Sequence, residues 1–459
     1  MKVLLTHPVD RNPLLVSDDL GLGYLATALR GGGSEVKLEL RSLKKDEFTR
    51  ELEAFRPEVV GIKTFCTSAP AVNETIKLIR KVLPGARCVI GGPQVNAAPE
   101  SILSYIDADA AFHGDGERSF PAYVNALASG GDPRGISGFI YRKKGKIHVN
   151  RADLIRDLDS MGMPAWDLMP PHRGGQLQLS RYSPTASVIT SRGCNGLCTF
   201  CSEAGGALRF RSPELVLREL FLLRDRYKVR EIMFQDSNFL AVPGRIETLC
   251  DMMLERGLNL PWSVPYGTRA ETLTPDLLKL MKRAGCYRVS IGVETGSPRW
   301  QRKLRKNIDL DRLRERIKSC RKSGVEIMAN FMYGFPGESR AEQKETVRLA
   351  LELDVDYVSF YTFAPYPGSL LYDELIDNGV IKAGDFEQFD KFDYMNDLSE
   401  SSPRELFWLI RRSLFRFYIR PRSLRMLIKN LRYPNLYSII FKLLYYEFLF
   451  PHRTQQHAY

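Results

Sequence analysis

Short apolar runs alternate with amphipathic stretches along most of the chain, and the alternation falls into two blocks. In the first, Val3-Leu4-Leu5, Val36 to Leu40, Val59 to Ile62 and Arg87 to Ile90 read as strands, and Leu20 to Arg30 and Ala71 to Val82 as helices. In the second, Ser187 to Thr190, Glu231 to Gln235, Trp262 to Pro265, Arg288 to Gly292, Glu326 to Phe331 and Tyr357 to Tyr361 read as strands, with helical patterns between them. Strands separated by helices at this spacing predict parallel sheets. The expected fold class is α/β: a doubly wound, Rossmann-like sheet over residues 1–135, a linker with a short hairpin over 136–185, a partial (β/α)6 barrel of the TIM type over 186–365, and a helical C-terminal segment over 366–459. Both sheet types bind ligands at the carboxyl ends of their strands.

Composition adds bounds. A chain of 459 residues with 44% hydrophobic content can bury two or three cores. Met1 to Asp10 meets charge too early for a secretory signal, and no apolar run reaches the length of a membrane span, so a cytoplasmic setting is expected. The formal charge of +12 is concentrated: residues 403–459 hold eleven Lys or Arg against two Glu.

Eight cysteines are present. Cys66, Cys88, Cys250, Cys286 and Cys320 stand singly in apolar segments and read as core residues of a protein kept reduced. Cys194, Cys198 and Cys201 share one loop after the first strand of the second block. Three thiolates at this spacing can hold three corners of a cubane 4Fe-4S cluster, which leaves one iron without a protein ligand. Such an iron can bind a substrate and pass it an electron, chemistry that amino-acid side chains lack. A zinc knuckle is the alternative; it would want a fourth ligand from a second CxxC or a nearby His, and the sequence supplies neither.

Three strand ends of the first block carry the small or polar residues that a bulky ligand needs: Thr64 with Thr67 and Ser68, Gly91-Gly92-Pro93-Gln94, and Gly114-Asp115-Gly116-Glu117. Paired glycines let backbone approach a ligand closely; a tight turn without a ligand uses the same residues. No GxGxxG follows the first strand, which argues against a nicotinamide dinucleotide.

With Leu20-Gly21-Leu22-Gly23-Tyr24-Leu25 and Val59-Val60-Gly61-Ile62, these strand ends resemble the cobalamin-binding domain of cobalamin-dependent radical S-adenosylmethionine (SAM) enzymes. The resemblance implies cobalamin contacts at Thr64, Thr67, Ser68, Gly91, Gly92 and Gly114. Many cobalamin proteins carry a DxHxxG loop whose His ligates cobalt from below. Here Pro8 to Pro13 holds no such His, which leaves the lower axial position open, and His7 before it reads as structural. The cysteine loop, with Ser191-Arg192-Gly193 before it and Phe200 before its third cysteine, is similar to the cluster loop of radical SAM enzymes. By that likeness Cys194, Cys198 and Cys201 ligate the cluster, Phe200 packs near adenine, and Asp236 of Gln235-Asp236-Ser237-Asn238 accepts from the SAM ammonium. Glu294, in the stretch Gly292 to Ser297, accepts from the ribose hydroxyls, and Arg288 is a further candidate contact.

The family's chemistry implies cleavage of SAM to a 5′-deoxyadenosyl radical, hydrogen abstraction from an unactivated carbon of a small-molecule substrate, and methyl transfer by way of cobalamin. An oxidative cyclase or rearrangement enzyme with the same cofactors and no net methylation stays open, as does a non-catalytic cobalamin- and cluster-binding protein. A flavodoxin or ferredoxin is the expected electron donor. In the tail, Phe407, Trp408, Phe415 and Phe417 interleave with Arg411, Arg412, Arg416 and Arg420. These helices either cap the barrel or rest on an anionic membrane surface, which would suit a lipid-like or tetrapyrrole substrate. Nothing matches an RNA-binding module, and no nucleic-acid partner is expected.

Overall fold

The computed structural model describes residues 1–9, 19–40, 43–65, 68–169, 171, 180–384 and 396–433. The chain forms two compact units, Met1–Pro170 with Pro365–Phe389, and Pro171–Ala364 with Asp390–Tyr459.

The first unit is built on a seven-stranded sheet: β1 (Lys2–Thr6), β2 (Glu35–Glu39), β3 (Val59–Lys63), β4 (Arg87–Gly91), β5 (Ala110–Phe112), β6 (Phe139–Lys143) and β7 (Lys146–Val149), in the order β2-β1-β3-β4-β5-β6-β7. β1 to β5 run parallel, and the β6–β7 hairpin adds antiparallel to β5. The hairpin that the sequence places in a linker thus extends this sheet, with Phe139 and Ile140 buried against it. The two-residue period sorts the strand side chains. Leu4, Val60, Ile62 and Ile90 pack under the helices Lys45–Phe55 and Ala69–Val82, whereas Val3, Leu5, Val59 and Val89 face the helices Leu20–Gly31 and Gly116–Ser129. Strand order reverses between β1 and β3, so their carboxyl ends flank the crevice in which doubly wound sheets bind ligands.

The second unit holds six parallel strands, β8 (Thr185–Val188), β11 (Glu231–Phe234), β12 (Trp262–Thr268), β13 (Cys286–Glu294), β14 (Glu326–Tyr333) and β15 (Tyr357–Thr362), and a two-stranded ribbon of β9 (Ser191–Arg192) with β10 (Arg209–Phe210). The six run β8-β11-β12-β13-β14-β15 without reversal, the order of a partial (β/α)6 barrel. Helix starts are locally encoded. The side chains of Ser212, Thr274, Ser339 and Ser402 each accept a backbone N–H from the first turn of their own helix, and Ser339 and Ser402 complete capping boxes with Glu342 and Glu405. The helix Pro403–Tyr418 buries Leu406, Ile410 and Phe417 and turns Trp408 and Phe415 outward. The aromatic residues from Tyr437 onward lie outside the described residues. No helix among the described residues is long and apolar enough to cross a membrane.

Candidate cluster and cofactor site

The cysteine loop leaves the carboxyl end of β8 and returns through the β9–β10 ribbon, so residues 193–208 form a closed excursion. Its conformation depends on glycine. Gly193 has φ +85°, and a Cβ there would lie 2.2 Å from the carbonyl oxygen of Ala207. Inside the loop, the Gly205 N–H donates to Gly196 O (2.7 Å) and the Cys201 N–H to Cys198 O (3.1 Å). Thr199 anchors it to a distant segment, donating from its N–H to Leu304 O and from its hydroxyl to Lys303 O, each at 3.1 Å. Cys194, Cys198 and Cys201 are partly exposed, whereas Cys88, Cys250, Cys286 and Cys320 are buried. Cys66 lies outside the described residues.

Burial pushes the Cys198 thiol up and raises Cys201 to about 11. Thiols held this way do not ionise alone near neutral pH, and a strongly attracting cation has to draw the proton off. No group of three or more His, Cys, Asp or Glu among the described residues converges on one point as a single zinc ion requires. A soft sulfur set spread around an accessible loop fits a polynuclear iron–sulfur cluster.

The four residues after β11 brace this loop. Asp236 is fully buried; its carboxylate accepts from the Thr190 N–H (3.0 Å), the Thr190 hydroxyl (2.6 Å) and the Ser191 hydroxyl. Gln235 bonds Ser187, Ser237 bonds Glu203, and the Asn238 amide donates to Asn195 Oδ1 (3.2 Å). The expectation that Asp236 reaches outward to the SAM ammonium therefore changes: its oxygens are directed inward, onto the root of the loop. Phe200 is half-buried between anchored Thr199 and Cys201.

Glu294 closes β13 with φ +69°, a left-handed conformation that is strained for a residue with a Cβ. Its carboxylate pairs with Lys306 Nζ at 3.1 Å, and both side chains are about nine-tenths buried. Gly292 makes room for the pair, since a Cβ there would fall 2.2 Å from Glu294 Oε1 and 2.8 Å from Lys306 Nζ. Burial opposes charge on Lys306, but Glu294 and the neighbouring Cys198 raise it above the ordinary lysine value. Arg269 completes the group, donating to Lys306 O at 2.8 Å. Sequence reasoning missed Lys306 and Arg269, which sit in no motif and join the loop only through tertiary contact; Asn238 lies in the stretch Gln235 to Asn238 after the second strand, which by itself assigns it no role. Arg288 is not among them. It lies six residues before Glu294 on the same strand, about 20 Å away at strand rise, where it pairs with Glu326 at 3.0 Å.

In the first unit the strand ends are drawn together. The Thr64 N–H and hydroxyl both donate to Gly91 O (2.7 and 2.8 Å), and Gly92, at φ +110°, sits so close that a Cβ would meet Thr64 O at 2.9 Å. Asn96 accepts from the Gly114 N–H at 2.8 Å. Ser68 closes a turn onto Phe65, while Thr67 lies outside the described residues. These strand ends form a glycine-lined cradle, and its glycines serve the close approach of the chain to itself: a Cβ at Gly92 would press on the Thr64 backbone and one at Gly114 would lie 2.7 Å from Ala152 Cβ. Beside it, at the ends of β1 and β3, His7 Nε2 lies 3.0 Å and Lys63 Nζ 2.8 Å from the Asp19 carboxylate. Burial opposes ionisation of Asp19, but Lys63 and His7 hold its carboxyl well below the usual carboxylate range.

Accessible thiols in a loop after the first strand of a partial (β/α)6 barrel define a radical SAM protein, and the glycine cradle in a doubly wound unit adds a cobalamin-binding one. The Radical SAM superfamily model matches residues 188–350 and the B12 binding domain model residues 7–124. The chain is 30% identical over 443 residues to an uncharacterized methyltransferase of Pyrococcus horikoshii, covering 92% of this chain and 94% of that one. It is 29% identical over 420 residues to the cytidylyl-2-hydroxyethylphosphonate methyltransferase of Streptomyces wedmorensis, covering 79% and 78%. Among solved structures, the radical SAM methyltransferase TsrM of Kitasatospora setae, with cobalamin and a 4Fe-4S cluster bound, shares the fold with a TM-score of 0.69 at 20% identity, over 88% of this chain and 84% of that one. The chain belongs to the cobalamin-binding radical SAM methyltransferases, and its cofactors are a 4Fe-4S cluster, SAM and cobalamin.

Proposed function

We propose that the chain methylates an unactivated carbon of a small molecule. The observation that carries the reading is the cysteine loop: its three thiols are the accessible ones among the described cysteines, and they leave a cubane one corner short of protein ligands. When bound, the cluster with SAM supplies a hydrogen-abstracting radical, and cobalamin supplies a methyl carrier.

The chain's own residues hold and orient. Cys194, Cys198 and Cys201 grip the cluster. Lys306 and Glu294 present an ammonium beside a carboxylate, a pair that suits a zwitterionic nucleoside, with Lys306 toward the SAM carboxylate and Glu294 toward the ribose hydroxyls. Phe200 packs against the adenine. Asp236 is a positioning residue that fixes the entry to the loop, and Arg288 belongs to the scaffold. Thr64, Ser68, Gly91, Gly92 and Gly114 form the cobalamin cradle.

A large apolar substrate, lipid-like or tetrapyrrole, is the class we favour. Relatives include a hopanoid C-3 methylase of Methylococcus capsulatus and an anaerobic magnesium-protoporphyrin IX monomethyl ester cyclase of Rubrivivax gelatinosus. The outward residues Trp408, Phe415, Ile419 and Ile428, interleaved with Arg412 and Arg416, suit peripheral contact with an anionic bilayer. The cyclase relative also supports a second reading, oxidative cyclisation without net methylation. Anaerobic reconstitution with iron, sulfide and hydroxocobalamin, a flavodoxin or ferredoxin as reductant, and methyl-deuterated SAM separates them. Mass analysis of extracts should show 5′-deoxyadenosine and a product heavier by one labelled methyl. Turnover with no label in the product would favour cyclisation, and no 5′-deoxyadenosine at all would remove both readings.

A further inference from the structure

The backbone that carries Glu294 is bent into a turn that needs support. The Thr295 N–H donates to Val293 O at 2.9 Å, closing a γ-turn around Glu294, and a φ of +69° makes it the rare, strained form of that turn. Lys306, the partner of Glu294, sits between Arg305 (φ +51°) and Asn307 (φ +54°), which are left-handed as well. Strained residues of this kind persist only where their surroundings over-determine them. One buried side chain supplies that constraint.

Gln301 lies in the helix Pro298–Lys303 and is 3% exposed. Its Nε2 donates to the carbonyls on either side of Glu294, Val293 O at 2.8 Å and Thr295 O at 2.7 Å, so the amide spans the strained turn. Its Oε1 accepts from the Ile308 N–H at 3.3 Å, and its backbone carbonyl accepts from the N–H groups of Lys306 and Asn307, both at 3.1 Å. A primary amide has two donor hydrogens and an acceptor oxygen, and here all of them act on the two segments that bring Glu294 and Lys306 to 3.1 Å. We propose that Gln301 is the positioning residue of the Glu294–Lys306 pair, setting its geometry for SAM without touching SAM itself. This rests on the reading that the pair faces SAM and deepens it by naming what holds the pair in place. An apolar residue of the same size would fill the space and release the turn, and the carboxylate and ammonium would then meet SAM out of position.

The test uses the full chain, anaerobically reconstituted with iron and sulfide, with SAM affinity measured by equilibrium dialysis and iron per chain measured alongside. Gln301→Met keeps the bulk and removes the amide. SAM binding should weaken about three- to tenfold, with iron per chain unaltered. A generally loosened fold would weaken binding too, so the decisive readout is coupling to the pair. If Gln301 acts through Glu294 and Lys306, its loss matters little once the pair is broken, and Gln301→Met combined with Lys306→Met should lose far less affinity than the product of the two single losses. Losses that multiply overturn the proposal, and so does unchanged SAM affinity in Gln301→Met. Gln301→Glu, which keeps the acceptor for Ile308 and takes the amide hydrogens away from the turn, covers the case in which the Met variant does not keep its cluster. It should show the same weakening and the same coupling, and loss of iron in both variants overturns the proposal by making Gln301 a support of the cluster loop. A Lys306→Met chain that binds SAM as tightly as the parent would instead sink the reading that the pair faces SAM.

Discussion

The two ends of the second unit's parallel sheet are both rich in buried charge, yet they do opposite things with it. At the amino end, Glu326 is met by Arg288 at 3.0 Å and Arg181 at 2.6 Å, Tyr287 donates to Glu231 at 2.6 Å, and Asn430 reaches both Glu326 and the Tyr357 hydroxyl. Opposite charges there are matched across adjacent strands, and Arg288 also stacks on the Tyr357 ring. At the carboxyl end, the groups are three thiols, of which burial pushes Cys198 and Cys201 up, a carboxylate on a strained residue, and Lys306 flanked by two further left-handed residues, Arg305 (φ +51°) and Asn307 (φ +54°). Burial and charge alone therefore do not mark a site. Unused coordinating capacity and backbone strain do, and both gather where the strands end.

The comparison breaks most sharply at the cysteines. Replacing Cys198 by Ala should take SAM cleavage to background and lower iron per chain while the circular dichroism spectrum stays that of the parent, because only the carboxyl end loses a ligand. Arg288→Met should do the reverse. Glu326 then keeps Arg181 and Asn430 but loses one of its two arginine partners, which should cost about 1–3 kcal/mol in urea denaturation, with cluster loading retained in the folded fraction.

The two ends should also respond to pH with opposite sign. Burial acts to raise Glu326, but Arg288 and Arg181 hold its carboxyl below the ordinary value. Its contribution is present above the unfolded value and is lost as pH falls through the folded one. Glu338, in the turn after β14, accepts from the Gly334 and Phe335 N–H groups, but burial pushes it up to about 7. The folded chain then holds that proton more tightly than the unfolded chain, so stability declines as pH rises from the ordinary carboxyl value toward 7, by at most about 3 kcal/mol. Glu338→Gln should flatten this decline and leave the acid-side loss, whereas Glu326→Gln should remove the latter.

Smaller effects sharpen the account of the loop. Asp236→Asn removes the charge that holds Thr190 and Ser191, which should cost about 1–3 kcal/mol and speed loss of iron to a chelator, with SAM affinity little changed in material that keeps its cluster. Lys306→Met should instead weaken SAM binding by about tenfold, the worth of one charge-assisted contact, with iron content intact. If the two variants exchanged these phenotypes, the roles given to brace and ligand would be reversed.

What the sequence made legible was local. The apolar period marked the strands of both units, and the spacing of Cys194, Cys198 and Cys201 was enough to point to the cluster. Orientation was not legible. Asp236 and Thr64 lie in the expected stretches, but whether such a side chain points to a ligand or back into the fold is settled by neighbours such as Thr190 and Gly91, which belong to other segments. Arg288 misled for the same reason, since a strand has two ends and a residue's place in the motif does not say which one carries chemistry. Lys306 reaches Glu294 through a pair of left-handed turns that its sequence does not announce.

The central claim, a cluster held by three thiolates with one iron left for SAM, is tested most directly by Mössbauer spectroscopy of anaerobically reconstituted, iron-57-labelled protein with and without SAM. The account expects one iron in four to change its isomer shift when SAM is added, with the other three unaffected. Four irons indifferent to SAM would contradict it, as would zinc in place of the cluster.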